Sequence, residues 1–143
     1  MGSAVGYELS VMDIQGRLRS KFKKDFDRIP LRGEMLAQVQ EIDLKGPNPY
    51  LRDPYYPAFE SLAIDEQDRI WVQLYQPKWT DRTNQETPYD VFSSEGKFLF
   101  GTRIPGHVYS RLVFKNGRIY VLKKTDSGYL KAFRLRLDEQ LSL

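Results

Sequence analysis

Apolar and polar positions alternate in short runs along this chain. Leu62 and Ile64 are separated by Ala63, four turn-type residues follow at Asp65-Glu66-Gln67-Asp68, and Arg69-Ile70-Trp71-Val72-Gln73-Leu74 continues with β-branched and aromatic side chains. A period of two bounded by turn residues predicts a β-hairpin. The run returns as Arg111-Leu112-Val113-Phe114-Lys115-Asn116-Gly117-Arg118-Ile119-Tyr120-Val121. Leu62 recurs as Leu112 fifty positions on, and Ile70-Trp71-Val72 as Ile119-Tyr120-Val121 forty-nine positions on, one residue having been removed from the turn. Residues 61–75 and 111–123 are therefore expected to form equivalent antiparallel hairpins. In the second copy the turn is Asn116-Gly117, two residues that tolerate the positive φ of a type I′ turn.

Another hairpin is predicted from Tyr89-Asp90-Val91-Phe92 through Ser93-Ser94-Glu95-Gly96 to Lys97-Phe98-Leu99-Phe100-Gly101, and it echoes Leu9-Ser10-Val11-Met12, Asp13-Ile14-Gln15-Gly16 and Arg17-Leu18-Arg19 near the start. Trp71, Tyr120, Ile70, Ile119, Leu62, Leu112, Phe92 and Phe98 are the expected packing residues. A last strand is expected from Tyr129 to Leu137.

At these residues the chain resembles a known family. A hydrophobic strand, an acidic or Asn-Gly turn, Arg69-Ile70-Trp71-Val72 or Arg118-Ile119-Tyr120-Val121, then Tyr89-Asp90-Val91-Phe92 with Gly96-Lys97-Phe98-Leu99, is similar to the six-bladed β-propellers of the NHL and TolB-like class. The likeness covers residues 7–29 and 58–137. It implies an all-β fold of propeller-type blades, made of antiparallel hairpins with one short helical insertion. Its motifs mark strands and turns and carry over no catalytic group. A blade takes roughly 40–50 residues, so a chain of 143 residues supplies two to three. It is either a piece of a longer propeller or a chain whose copies assemble. The expected layout is a single domain over 1–143, with an outer hairpin at 7–29, a helical insertion at 32–45, a connection at 46–60, a second blade at 61–104 and a third, incomplete blade at 108–137. The strand at Tyr129 to Leu137 then lacks a partner in its own blade, and pairing with a neighbour, or with the early strand Tyr7 to Met12, is expected.

The insertion places Met35, Leu36, Val39 and Ile42 on one stripe of helical period, ended by Gly46-Pro47. Four prolines and three tyrosines then fall within residues 47–59, which predicts an extended connection. Tyr50, Tyr55 and Tyr56 are candidates for a recognition surface, since each offers a rigid ring and a hydroxyl. Covering the end of an adjacent sheet is their structural alternative.

Charge changes the picture more than composition does. Residues 103–136 carry nine cations against Asp126 alone, in a chain of net charge +3. From this stretch Arg111, Lys115, Arg118, Lys123, Lys124, Lys131 and Arg134 are candidates for a binding surface. Interleaved with Tyr109, Tyr120, Tyr129 and Phe133, they suit a polyanion that stacks and pairs, and some propellers of the resembling class bind RNA. Cations also guard strand edges and solvate exposed faces.

Reactive chemistry is sparse. The chain has no cysteine and a single histidine, His107, on an expected loop. The cluster Asp65-Glu66-Gln67-Asp68 sits on a hairpin turn, where consecutive carboxylates do not converge on one metal. Some propellers of the resembling class are metal-dependent lactonases, but no matching ligand set can be assigned here. No cofactor and no metal site is expected. No apolar run reaches membrane-spanning length, and Met1-Gly2-Ser3-Ala4-Val5-Gly6 has neither a basic start nor an apolar core. A soluble chain is expected, periplasmic or extracellular if the family resemblance holds and a signal was removed. The expected function is a non-catalytic binding or scaffolding module whose partner is a protein or a second copy. Two alternatives stand: a fragment of a propeller enzyme, and nucleic-acid binding through residues 103–136.

Overall fold

The alternating runs are realised as strands. A computed structural model describes residues 2–3, 6–34, 36–37, 55–76, 86–105, 111–125 and 127–136, and within these the helical backbone is confined to residues 33, 34, 36 and 37. The rest of the expected insertion lies outside the described residues. Among the described residues every strand pairing is antiparallel, and the strands form three sheets. The chain is therefore all-β. It divides into two compact units, Met1–Ala58 and Phe59–Leu143.

In the first unit β1 (Gly2–Ser3), β2 (Glu8–Met12) and β3 (Leu18–Lys23) form a sheet in that order. The β2–β3 hairpin closes through a tight loop: the Asp13 N–H donates to the Arg17 carbonyl at 3.0 Å and the Gly16 N–H to the Asp13 carbonyl at 2.9 Å. Gly16 sits at a φ of 79°. This is a type I turn followed by one left-handed residue, a three-residue hairpin loop. Farther on, Tyr56 donates its N–H to the Ile29 carbonyl at 2.8 Å, and Pro30 bridges to Tyr55.

The second unit holds two meanders. β4 (Phe59–Ile64), β5 (Ile70–Leu74), β6 (Glu86–Phe92) and β7 (Phe98–Pro105) form a four-stranded sheet in sequence order, and β8 (Val113–Lys115), β9 (Arg118–Lys124) and β10 (Leu130–Arg136) a three-stranded one. The loops at 65–69, 93–97 and 125–129 repeat the hydrogen bonds of the Asp13 loop. Gly96 and Gly128 take the left-handed position at φ 90° and 85°, and Asp68 takes it at 58°. The β8–β9 turn is different: Asn116 and Gly117 have φ of 53° and 67°, the paired positive values of the type I′ turn expected there.

The two predicted hairpins are equivalent in register, since Ala63 faces Trp71 in one and Val113 faces Tyr120 in the other. Trp71, Tyr89, Val91 and Ile104 of the first sheet meet Ile119 and Val121 of the second, and Leu112 just before β8, in one buried cluster. Trp71 is its centre, fully buried, with Phe114 at 5.2 Å, Tyr89 at 6.0 Å and Phe100 at 6.1 Å between ring centroids. These are favoured separations for aromatic pairs, and burying such a side chain stabilises by roughly 2–3 kcal/mol.

Three expectations are corrected. Tyr120 is 38% exposed and Phe98 46% exposed, so neither is a core residue. Tyr120 lies on the face of the second sheet opposite to Ile119 and Val121, because successive side chains of a strand alternate. Phe98 begins edge strand β7 and touches Phe92 at 5.6 Å on one side. Finally, β10 does have a partner in its own sheet: it pairs with β9 over seven positions, from Leu130 opposite Lys124 to Arg136 opposite Arg118. The early strand pairs instead with β1 and β3.

Candidate functional site

The two sheets of the second unit are joined at their turn ends by an acidic clasp. Asp65 starts the β4–β5 loop as an Asx turn: its Oδ1 accepts the N–H groups of Gln67 at 2.9 Å and Arg69 at 3.0 Å. Its Oδ2 accepts Arg69 Nε at 2.6 Å and the Trp71 indole N–H at 2.9 Å. Burial pushes this carboxyl up, but the indole and the Arg69 and Gln67 donors outweigh it and hold it below the usual range. The turn is thereby locked to the core tryptophan.

Next to it, Glu66 reaches across to the other sheet. Its carboxylate accepts the backbone N–H groups of Asn116 at 2.7 Å and Gly117 at 2.9 Å. Those bonds, Gly117 first, lower its pKa. In a two-residue turn these amides are directed away from the ladder, and a carboxylate that takes both makes charge-assisted bonds. A shallow cleft of about 60 Å³ lies between the turns, lined by Asp65, Glu66, Gln67, Arg69, Phe114, Gly117 and Arg118. It is far short of a substrate pocket of some hundreds of Å³. Among the described residues there is no group of three or more His, Cys, Asp or Glu side chains that could hold a metal ion. The acidic turn is a fastening between sheets.

The outer face of the second sheet has the opposite charge. Strands β8, β9 and β10 contain seven cations and no acid. Residues directly opposite in an antiparallel ladder share a face. Lys115 stands opposite Arg118 and Arg118 opposite Arg136, which makes a row of three cations across three strands. Val113, Tyr120 and Arg134 form the next row on that face. In the register of the first sheet, Lys115 and Arg118 occupy the places of Asp65 and Arg69, which are an ion pair. A like-charge pair has replaced it. Among the described residues, Lys115, Arg118, Lys131, Arg134 and Arg136 take part in no ion pair.

The candidate surface is thus divided. Lys115, Arg118 and Arg134 come together on the outer face. Lys123 and Lys131 oppose each other on the other face, where Lys123 lies 5.1 Å over the Phe133 ring and burial lowers its pKa. Arg111 is exposed just before β8. Lys124 ends β9 opposite Leu130. The tyrosines belong to the first unit: Tyr56 is buried there, Tyr55 stacks under the Arg28 guanidinium at 4.1 Å, and Tyr50 lies outside the described residues, as does His107. Tyr56 is a packing residue.

Two residues have roles that the sequence did not show. Arg136 completes the cation row only because β10 pairs with β9. Glu66 acts across sheets. A signal for the Asx lock was present in the repeat of Asp13-Ile14-Gln15-Gly16-Arg17 as Asp65-Glu66-Gln67-Asp68-Arg69. Asp13 takes the N–H groups of Gln15 and Arg17 and Arg17 Nε just as Asp65 takes its own.

Comparison with protein-family models, with curated proteins and with solved structures finds no match to this chain. Its functional reading rests on these residues. No helix among the described residues is long and apolar enough to cross a membrane.

Proposed function

We propose that the chain is a propeller-type, non-catalytic binding or scaffolding module that works by stacking sheet upon sheet, with a protein or a second copy as the partner. The observation that carries this is a pair of register-equivalent positions. Trp71 is fully buried because the second sheet covers its face, whereas Tyr120, in the same place on the second sheet, is 38% exposed beside Val113 at 57% and Leu122 at 38%. Contiguous apolar exposure beside polar residues marks an interaction surface. The meanders, their repeated turns and the period near fifty support the blade reading.

Light scattering tests it. A mass above that of one chain at high micromolar concentration is expected, and Tyr120→Asp with Val113→Asp should return the monomer while far-ultraviolet circular dichroism stays unchanged. A strictly monomeric wild-type chain would overturn self-association.

A further inference from the structure

The first sheet of the second unit has four strands, and its fourth, β7, brings Ile104 into the core and packs Phe100 against Trp71. Among the described residues the second sheet has three. Its last strand β10 pairs with β9 on one side, and on the other no strand joins it among the described residues. Such an edge leaves a row of main-chain N–H and C=O groups able to accept another chain. Its side chains include the exposed apolar groups Leu130 at 52% and Phe133 at 37% and the cations Lys131, Arg134 and Arg136, and Tyr129, 75% exposed, immediately precedes it.

We propose that the open edge of β10 is a docking site for an extended acidic segment of a partner protein, which adds to the second sheet as a fourth strand. The proposal rests on the reading of this chain as a binding module and names the chemistry of its partner. Charge selects the occupant. Arg134 and Arg136 lie on the outer face, and Arg136 completes the row with Arg118 and Lys115. Directly opposed like charges destabilise a ladder, and an adjoining strand that places carboxylates on this face relieves the repulsion. On the other face the same strand would set apolar residues beside Phe133 and Leu135. A second copy of β10 is a poor occupant, since its cations repel those already present. A polynucleotide answers the charge but not the edge, because it brings no peptide backbone to complete the ladder.

The test uses the full chain and a fluorescein-labelled nonapeptide of alternating Glu and Val, read by fluorescence anisotropy, with a Lys-Val peptide as its counterpart. Saturable binding of the acidic peptide alone is expected. It should weaken severalfold between 50 and 300 mM salt, and at least tenfold in Arg134→Glu with Arg136→Glu. Two further peptides, N-methylated on one or the other set of alternate amides, separate strand addition from charge attraction on the unmodified protein. One should bind at least tenfold more weakly, and the other like the parent. Equal binding of both methylated peptides would overturn strand addition, as would tighter binding of a single-stranded oligothymidine or no acidic-peptide binding at 1 mM. The samples are those whose mass is measured by light scattering. A monomer that binds the peptide refutes self-association and keeps the edge site, and an oligomer that does not bind refutes the edge site and keeps assembly.

Discussion

At the scale of single residues, the second unit depends on Trp71 and on the carboxylates around it. Trp71→Ala removes the ring that both sheets share, and a loss of about 3–5 kcal/mol is expected in a denaturant titration. Asp65→Ala leaves the indole N–H and the Arg69 donors short of an acceptor in a site where Asp65 is 6% exposed, at a cost of about 1–3 kcal/mol. The Asp65 and Glu66 carboxyls both lie below their ordinary values. Their stabilisation is therefore fully present above the unfolded carboxyl range of about 4 and is lost as pH falls through the lower folded values. The urea midpoint should stay nearly level from pH 7 to pH 5 and fall below pH 4. Glu66→Gln should lower the midpoint at pH 7 and differ from the parent less and less on acidification. A difference that persists undiminished at pH 2 would show that the Glu66 charge does not fasten the Asn116-Gly117 turn.

At the scale of elements, one loop design closes four hairpins, and its fourth residue is glycine in three of them and Asp68 in the other. A left-handed backbone disfavours a residue with a Cβ. Asp68→Gly should therefore stabilise the chain by about 0.5–1 kcal/mol in thermal or chemical unfolding, while Gly117→Val, at a φ of 67°, should destabilise it by about 1 kcal/mol or more. The hairpins themselves were legible in the alternation of apolar residues and in Asn116-Gly117, because both are local. Faces were not. Tyr120 looks like Trp71 in sequence, yet alternation only assigns it a side, and what covers that side depends on which sheet comes next. Phe98 and the unpaired-strand reading of residues 129–137 failed for the same reason: their neighbours are chosen across the sheet.

For the whole molecule, the second unit has its own buried cluster and its own inter-sheet fastening. Residues 59–143 expressed alone, with Trp79→Phe so that Trp71 alone reports, should give a cooperative unfolding transition and a blue-shifted emission that moves red in denaturant. Emission of a solvated indole in buffer would show that this unit needs residues 1–58 to fold. Charge at this scale was partly readable too. The excess of cations in residues 103–136 was plain, but their division between two faces of one sheet required the register of β8, β9 and β10.

The sequence by itself determined that this chain is made of antiparallel hairpins with repeated turns, since a period of two and a positive-φ turn are properties of consecutive residues. It also determined that the cations are concentrated in residues 103–136, about a quarter of the chain. Tertiary structure decided that Glu66 joins two turns fifty residues apart, that Trp71 lies under a second sheet while Tyr120 is left partly open, and that Lys115, Arg118 and Arg136 stand in one row. Each of these depends on which strands lie side by side and which sheet faces which, and a contact between distant segments leaves no periodic trace in either one.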